Sequence, residues 1–110
     1  MEEVDNILTL KEILGLEPAV LVYFYNDTCA PCVALRPKVA EMASSNFPKL
    51  RLIFCNALRM AEAASEYGIF ASPTLLVFFE GRETIRESKY ISINGLHDAI
   101  QRYYNLIFND

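Results

Sequence analysis

Ala19-Val20-Leu21-Val22-Tyr23-Phe24-Tyr25, followed by Asn26-Asp27-Thr28 and then by Cys29-Ala30-Pro31-Cys32, is the stretch from which the rest of the chain can be read. The β-branched and aromatic run suits a buried strand and is far too short to cross a membrane. Asn26, Asp27 and Thr28 are turn and N-cap residue types, and Pro31 suits a first helical turn. Cys32, Leu35, Val39 and Met42 then recur at helical spacing. The two cysteines therefore fall at a strand-to-helix junction, with Cys29 outermost and Cys32 turned toward the interior. Thiols at this spacing can close and reopen a disulfide. The nucleophile in such exchange is the thiolate, and a free cysteine, with a pKa of about 8.5, is mostly protonated at neutral pH. A helix N-terminus stabilises an anion through its unpaired N–H groups and partial positive charge, and Cys29 is placed to receive that field.

Composition frames what this pair can be. The chain has 110 residues, 53% hydrophobic and 22% charged, which suits one globular domain over residues 1–110. A domain of that size buries about two-thirds of its unfolded surface without disulfide staples, so the cysteines are free for chemistry. A net charge of −4 disfavours a nucleic-acid partner, which needs clustered lysine and arginine. The acidic start Met1-Glu2-Glu3-Val4-Asp5 is unlike a secretory signal, so the expected compartment is the reducing cytoplasm, where paired cysteines more often mean catalysis or metal than structure.

Along the rest of the chain, Thr9-Leu10-Lys11-Glu12 has capping-box spacing and Gly15 follows, which predicts a brief helix over residues 10–14 after a short strand. Pro37 falls inside the Cys32 helix, where it should kink without ending it, and Pro48 lies just past its end. Leu50 to Cys55 reads as a buried strand. Residues 58–67 read as a helix with Met60, Ala64 and Tyr67 on one face, ended by Gly68. Thr74 to Phe79 reads as an apolar strand, Glu80-Gly81-Arg82-Glu83 as a hairpin connection, and Thr84 to Tyr90 as a charged edge strand. Leu96, Ile100, Tyr103 and Ile107 define a closing helix over residues 94–108. This order gives one sheet with helices on both faces.

With Cys29-Ala30-Pro31-Cys32 at the end of the second strand and Ser72-Pro73-Thr74 leading into the fourth, the chain resembles the thioredoxin family. Pro37, Tyr67-Gly68-Ile69 and Gly81 add to the likeness, which covers nearly the whole chain. The resemblance implies an α/β thioredoxin fold, a central mixed sheet of four to five strands flanked by helices on both faces. It implies a cis bond before Pro73, which proline makes feasible at about 0.5–1 kcal/mol, and a Ser72 backbone that pairs with an extended substrate segment. Ala30, Pro31, Phe70, Ala71, Ser72 and Pro73 are thereby the expected substrate-binding residues, and Cys29 and Cys32 the catalytic ones. The implied protein is a monomer that reduces disulfide-containing protein substrates, is recycled by an upstream disulfide reductase, and uses no bound cofactor or metal, no nucleic acid and no membrane. Pro31 before the second cysteine places it toward the reducing end of the family.

Departures from the family pattern carry equal information. Thr28 stands where the family commonly has tryptophan, Lys89 where a loop glycine usually completes the substrate groove, and Tyr23 where thioredoxins usually bury an aspartate that relays a proton to the second cysteine. A tyrosine, with a pKa near 10, is a poor base at neutral pH. Proton removal from Cys32 is then expected to rely on water or on another group. Phe70 can supply part of the missing apolar surface.

Other readings stand beside this one. A zinc site would need two more ligands, and Cys55 and His97 sit on different elements far apart in the expected fold. Cys55, mid-strand in an apolar run, reads as core. His97 is expected on the outward face of the last helix, which removes the base that a cysteine protease needs, and Asp98 and Arg102 are expected to pair at i, i+4 spacing. A protein-binding module with little redox turnover, and a disulfide oxidase or isomerase, remain as alternative functions.

Overall fold

In the computed structural model, which describes residues 2–108, the chain runs β1 (Glu2–Glu3), α1 (Ile7–Leu16), β2 (Ala19–Tyr25), α2 (Ala30–Asn46), β3 (Arg51–Asn56), α3 (Ala61–Glu66), β4 (Thr74–Phe79), β5 (Arg82–Ser88) and α4 (Ile93–Phe108). The strands form one five-stranded sheet in the order β1-β3-β2-β4-β5. β1, β3 and β2 are parallel, while β4 is antiparallel to both β2 and β5. This is the expected mixed sheet, with five strands.

Strand β2 lies near the centre because both of its faces are apolar. Ala19, Leu21 and Tyr23 point into the layer under α2 and α4, with Val39, Met42, Phe54, Leu75, Leu96 and Ile100. Val20, Val22 and Phe24 point into the opposite layer, with Leu10, Ile13, Ile53, Cys55 and Leu76 under α1 and α3. Period-2 alternation thus divides one strand between two cores.

Helix α1 starts a turn earlier than the capping-box spacing predicts. Asn6, in extended backbone, accepts a hydrogen bond from the Thr9 amide at 2.8 Å, so Asn6 is the cap and Thr9 lies inside the helix. Asparagine caps better than threonine, and the earlier start lets Leu10, Ile13 and Leu14 share one buried face. Gly15 lies within α1 rather than past its end. Helix α3 is shorter than expected, because Asn56 Oδ1 accepts from the Leu58 and Arg59 amides at 3.0 and 3.2 Å and holds that segment as a turn. Gly68, at φ +66°, ends this region as predicted. Helix α2 continues through Pro37. Glu80 and Gly81, with φ of 53° and 79°, make the whole of the tight β4–β5 turn, so β5 begins at Arg82 and ends at Ser88, before Lys89.

Candidate active site

The site is built where β2 runs out. Asn26 Oδ1 accepts from both the Thr28 amide and the Thr28 hydroxyl at 3.0 Å, which turns the chain at the strand end. Helix α2 then begins, capped by Cys29 itself rather than by Asn26, Asp27 or Thr28. The Cys29 sulfur accepts from the Cys32 amide at 3.1 Å. Pro31 occupies the first helical turn, where its missing N–H costs no helical hydrogen bond. Cys29 and Cys32 are joined as a disulfide with Cα atoms 5.3 Å apart. Cys29 is 9% exposed and Cys32 2%, the expected outer and inner order. Ala30 and Pro31 are exposed beside them, as is Val33.

The second loop approaches from the start of β4. The Ser72–Pro73 bond is cis, as expected, and Pro73 is buried. The Pro73 carbonyl accepts from the Lys89 amide at 2.9 Å, and the Thr74 hydroxyl donates to the Ala71 carbonyl at 2.6 Å. No backbone hydrogen bond among the described residues uses Ser72. Its hydroxyl accepts from the Asn26 side-chain amide at 3.2 Å, which ties the two loops together. Phe70 is 95% exposed, and with Ala71, Ser72, Asn26 and Leu58 it lines an open groove of about 330 Å³.

Below the pair, Tyr23 is fully buried, and its hydroxyl donates to the Cys32 carbonyl at 2.7 Å. Burial pushes its phenol up to about 12, against a smaller opposing pull from the Arg36 charge. A phenol held neutral in this way, with its proton committed to a carbonyl, cannot take a proton from Cys32 near neutrality. Beside Cys32 lies a second cavity, of about 540 Å³, lined also by Tyr25, Asn26, Asp27, Val33 and Arg36.

Other residues singled out in the sequence lie elsewhere. Cys55 is buried in the layer under α1 and α3, across the sheet from the pair, and burial pushes its thiol up to about 12. His97 corrects the expectation of an outward face: it is half-buried, with its ring 5.2 Å from that of Phe47. Its Nδ1 lies 3.0 Å from Asp98, so Asp98 pairs with His97 and not with Arg102. Three contributors were not singled out in the sequence: Asn26 as a bridge between loops, Asn56, and Arg36. Asn56 is 4% exposed and donates to Asp27 at 3.2 Å. Polar residues at the ends of apolar strands are the signal for the first two, and i+4 spacing from Cys32 is the signal for Arg36.

A dithiol pair capping a helix, facing a cis-proline loop across one sheet end, is the arrangement of an oxidoreductase that acts on protein disulfides. The chain matches the family model Thioredoxin over residues 8–102. It is 26% identical to the thioredoxin-like protein YdfQ of Bacillus subtilis over 96% of this chain and 94% of that one. It is 33% identical to a thioredoxin of Synechocystis over 92% of this chain and 94% of that one. The thioredoxin structure of Plasmodium falciparum superposes with a TM-score of 0.85 at 20% identity, covering 94% of this chain and 99% of that one, which speaks for the fold. The chain belongs to the thioredoxin family.

Proposed function

We propose that the protein reduces disulfides in protein substrates, with Cys29 as the attacking nucleophile and Cys32 as the resolving thiol. The observation that carries this reading is the Cys29 sulfur at the N-cap of α2, 3.1 Å from the Cys32 amide. In the reduced protein the same position offers an anion a backbone donor and the positive end of the helix. The Cys29 thiolate attacks a substrate disulfide and forms a mixed disulfide, while the extended substrate chain lies along Ser72 and Pro73 with Ala30, Pro31, Phe70 and Ala71 around it. Cys32 then attacks the Cys29 sulfur. The substrate leaves reduced, and the Cys29–Cys32 disulfide awaits an upstream disulfide reductase. The protein acts as a cytoplasmic monomer and needs no bound cofactor.

The test is a Cys32→Ser variant in cell extract, together with the pH dependence of Cys29 alkylation. Protein adducts held on Cys29, and alkylation that sets in well below the pH of a simple peptide thiol, are the expected results. A Cys29 that ionises like a peptide thiol and captures nothing refutes the reading. Tyr23 in place of an acid favours one alternative, a protein-binding module with little turnover. Full biological activity in a Cys29→Ser, Cys32→Ser double variant would establish that instead.

A further inference from the structure

Tyr23 and not a carboxylate lies under Cys32, and the cavity beside Cys32, which Asp27 also lines, holds a cation whose setting is unusual. Arg36 follows Cys32 by four residues on α2, so the two share a helix face and line the same cavity. The guanidinium carbon lies 4.1 Å from the centre of the Phe54 ring and 4.8 Å from that of Tyr25. One Nη2 donates to Glu3 Oε1 at 2.7 Å. The Tyr25 hydroxyl donates to the same carboxylate, at 2.9 and 3.0 Å to its two oxygens. Strand β1 and two aromatic rings thus hold the arginine in one place. Its Nε–H is buried and has no acceptor among the described residues.

We infer that Arg36 is a positioning residue for the resolving step: its fixed charge favours the thiolate of Cys32, in place of a proton-accepting acid. This inference rests on the dithiol mechanism proposed above. The Cys32 thiol releases its proton to water in the cavity, and the thiolate attacks the Cys29 sulfur of the mixed disulfide. A Cys32–Cys29 bond forms, the Cys29–substrate bond breaks, and the departing substrate thiolate takes a proton from water. The two cysteines are oxidised by two electrons and the substrate disulfide is reduced. Around Cys32 the titratable groups are Arg36 from α2, Tyr23 and Tyr25 from β2, Asp27 from the loop and Glu3 from β1. Tyr23 and Tyr25 are neutral near pH 7, as phenols ordinarily are, and burial raises both further. Glu3 partly offsets Arg36, so removing each charge should move the resolving step in opposite directions.

The test follows the reduced protein mixed with a neutral pyridyl disulfide, which releases one chromophore when Cys29 attacks and a second when Cys32 resolves. In Arg36→Met the second phase should slow roughly 3- to 10-fold at neutral pH, with its midpoint moved about half to one pH unit higher. Arg36→Lys should recover most of the rate, and Glu3→Gln should quicken the second phase about twofold and lower the midpoint. A structural tie between β1 and α2 would instead make Glu3→Gln and Arg36→Met err in the same direction. That result, or an unmoved midpoint in Arg36→Met with a normal wild-type second phase, overturns the inference alone. Absence of a second phase in the wild type overturns the dithiol mechanism and this inference with it.

Discussion

The side-chain amide of Asn26 meets the hydroxyl of Ser72 at 3.2 Å, so one residue joins the loop that presents Cys29 to the loop that ends in cis Pro73. The same side chain accepts two bonds from Thr28. Asn26→Ala should cost about 1–3 kcal/mol in urea denaturation, through loss of these bonds. It should also lower turnover on a protein disulfide about tenfold, through loss of relative positioning. Asn26→Asp keeps the acceptor for Thr28 and loses the donor to Ser72. Turnover that falls in Asn26→Asp more than stability does would isolate the bridge between loops.

Stability at high pH is expected to fall because of two buried protons. Burial pushes Tyr23 and Cys55 both up to about 12, from ordinary values of 10.0 and 9.0. Between the unfolded and folded values the native chain holds protons that the unfolded chain has released, so unfolding becomes easier as pH rises through that window. Below the unfolded values the two states bind these protons equally and the effect vanishes. Denaturation midpoints measured from about pH 7 to 11 should decline less steeply in Tyr23→Phe and in Cys55→Ala than in the wild type. Parallel declines in all three proteins would count against this account.

Gly15 lies in the last turn of α1, and a Cβ built there meets nothing within 4 Å. Replacing it removes unfolded-state freedom without a clash. Gly15→Ala should stabilise by about 0.5–1 kcal/mol, visible as a rise of several degrees in Tm, with redox turnover unchanged.

Lys89 has φ +64°, a left-handed conformation that costs an L-residue with a Cβ about 1–2 kcal/mol, while its amide donates to the Pro73 carbonyl at 2.9 Å. Lys89→Gly keeps the amide and relieves the strain, at some cost in chain entropy. A net gain of about 0.5 kcal/mol in denaturant unfolding is expected. A loss of stability would mean that the lysine side chain contributes more than its backbone costs.

What could be read from the sequence tracks how each feature is encoded. The bounds of β2 and β4, Ala19–Tyr25 and Thr74–Phe79, match because uninterrupted apolar runs leave little freedom in pairing. Cys29 and Cys32 stand out by local spacing, and Tyr23 through the resemblance to thioredoxins, which usually bury an aspartate at its position. Missed features depend on competition or on long-range contact. Asn6 and Thr9 are both N-cap types three residues apart, and tertiary packing of Leu10, Ile13 and Leu14 favoured the first. His97 looked outward by helical phase, but α2 brings Phe47 against it. Arg36 was not singled out, since its partners Glu3, Tyr25 and Phe54 come from three different strands.

Cys55 and the reactive pair sit on opposite sides of the β-sheet. In the folded chain the sheet is a wall one strand thick that the third sulfur cannot cross, so Cys32 is the one cysteine within bonding reach of Cys29. The chain can therefore close and reopen this one disulfide without scrambling its own cysteines, although it carries an odd number of them.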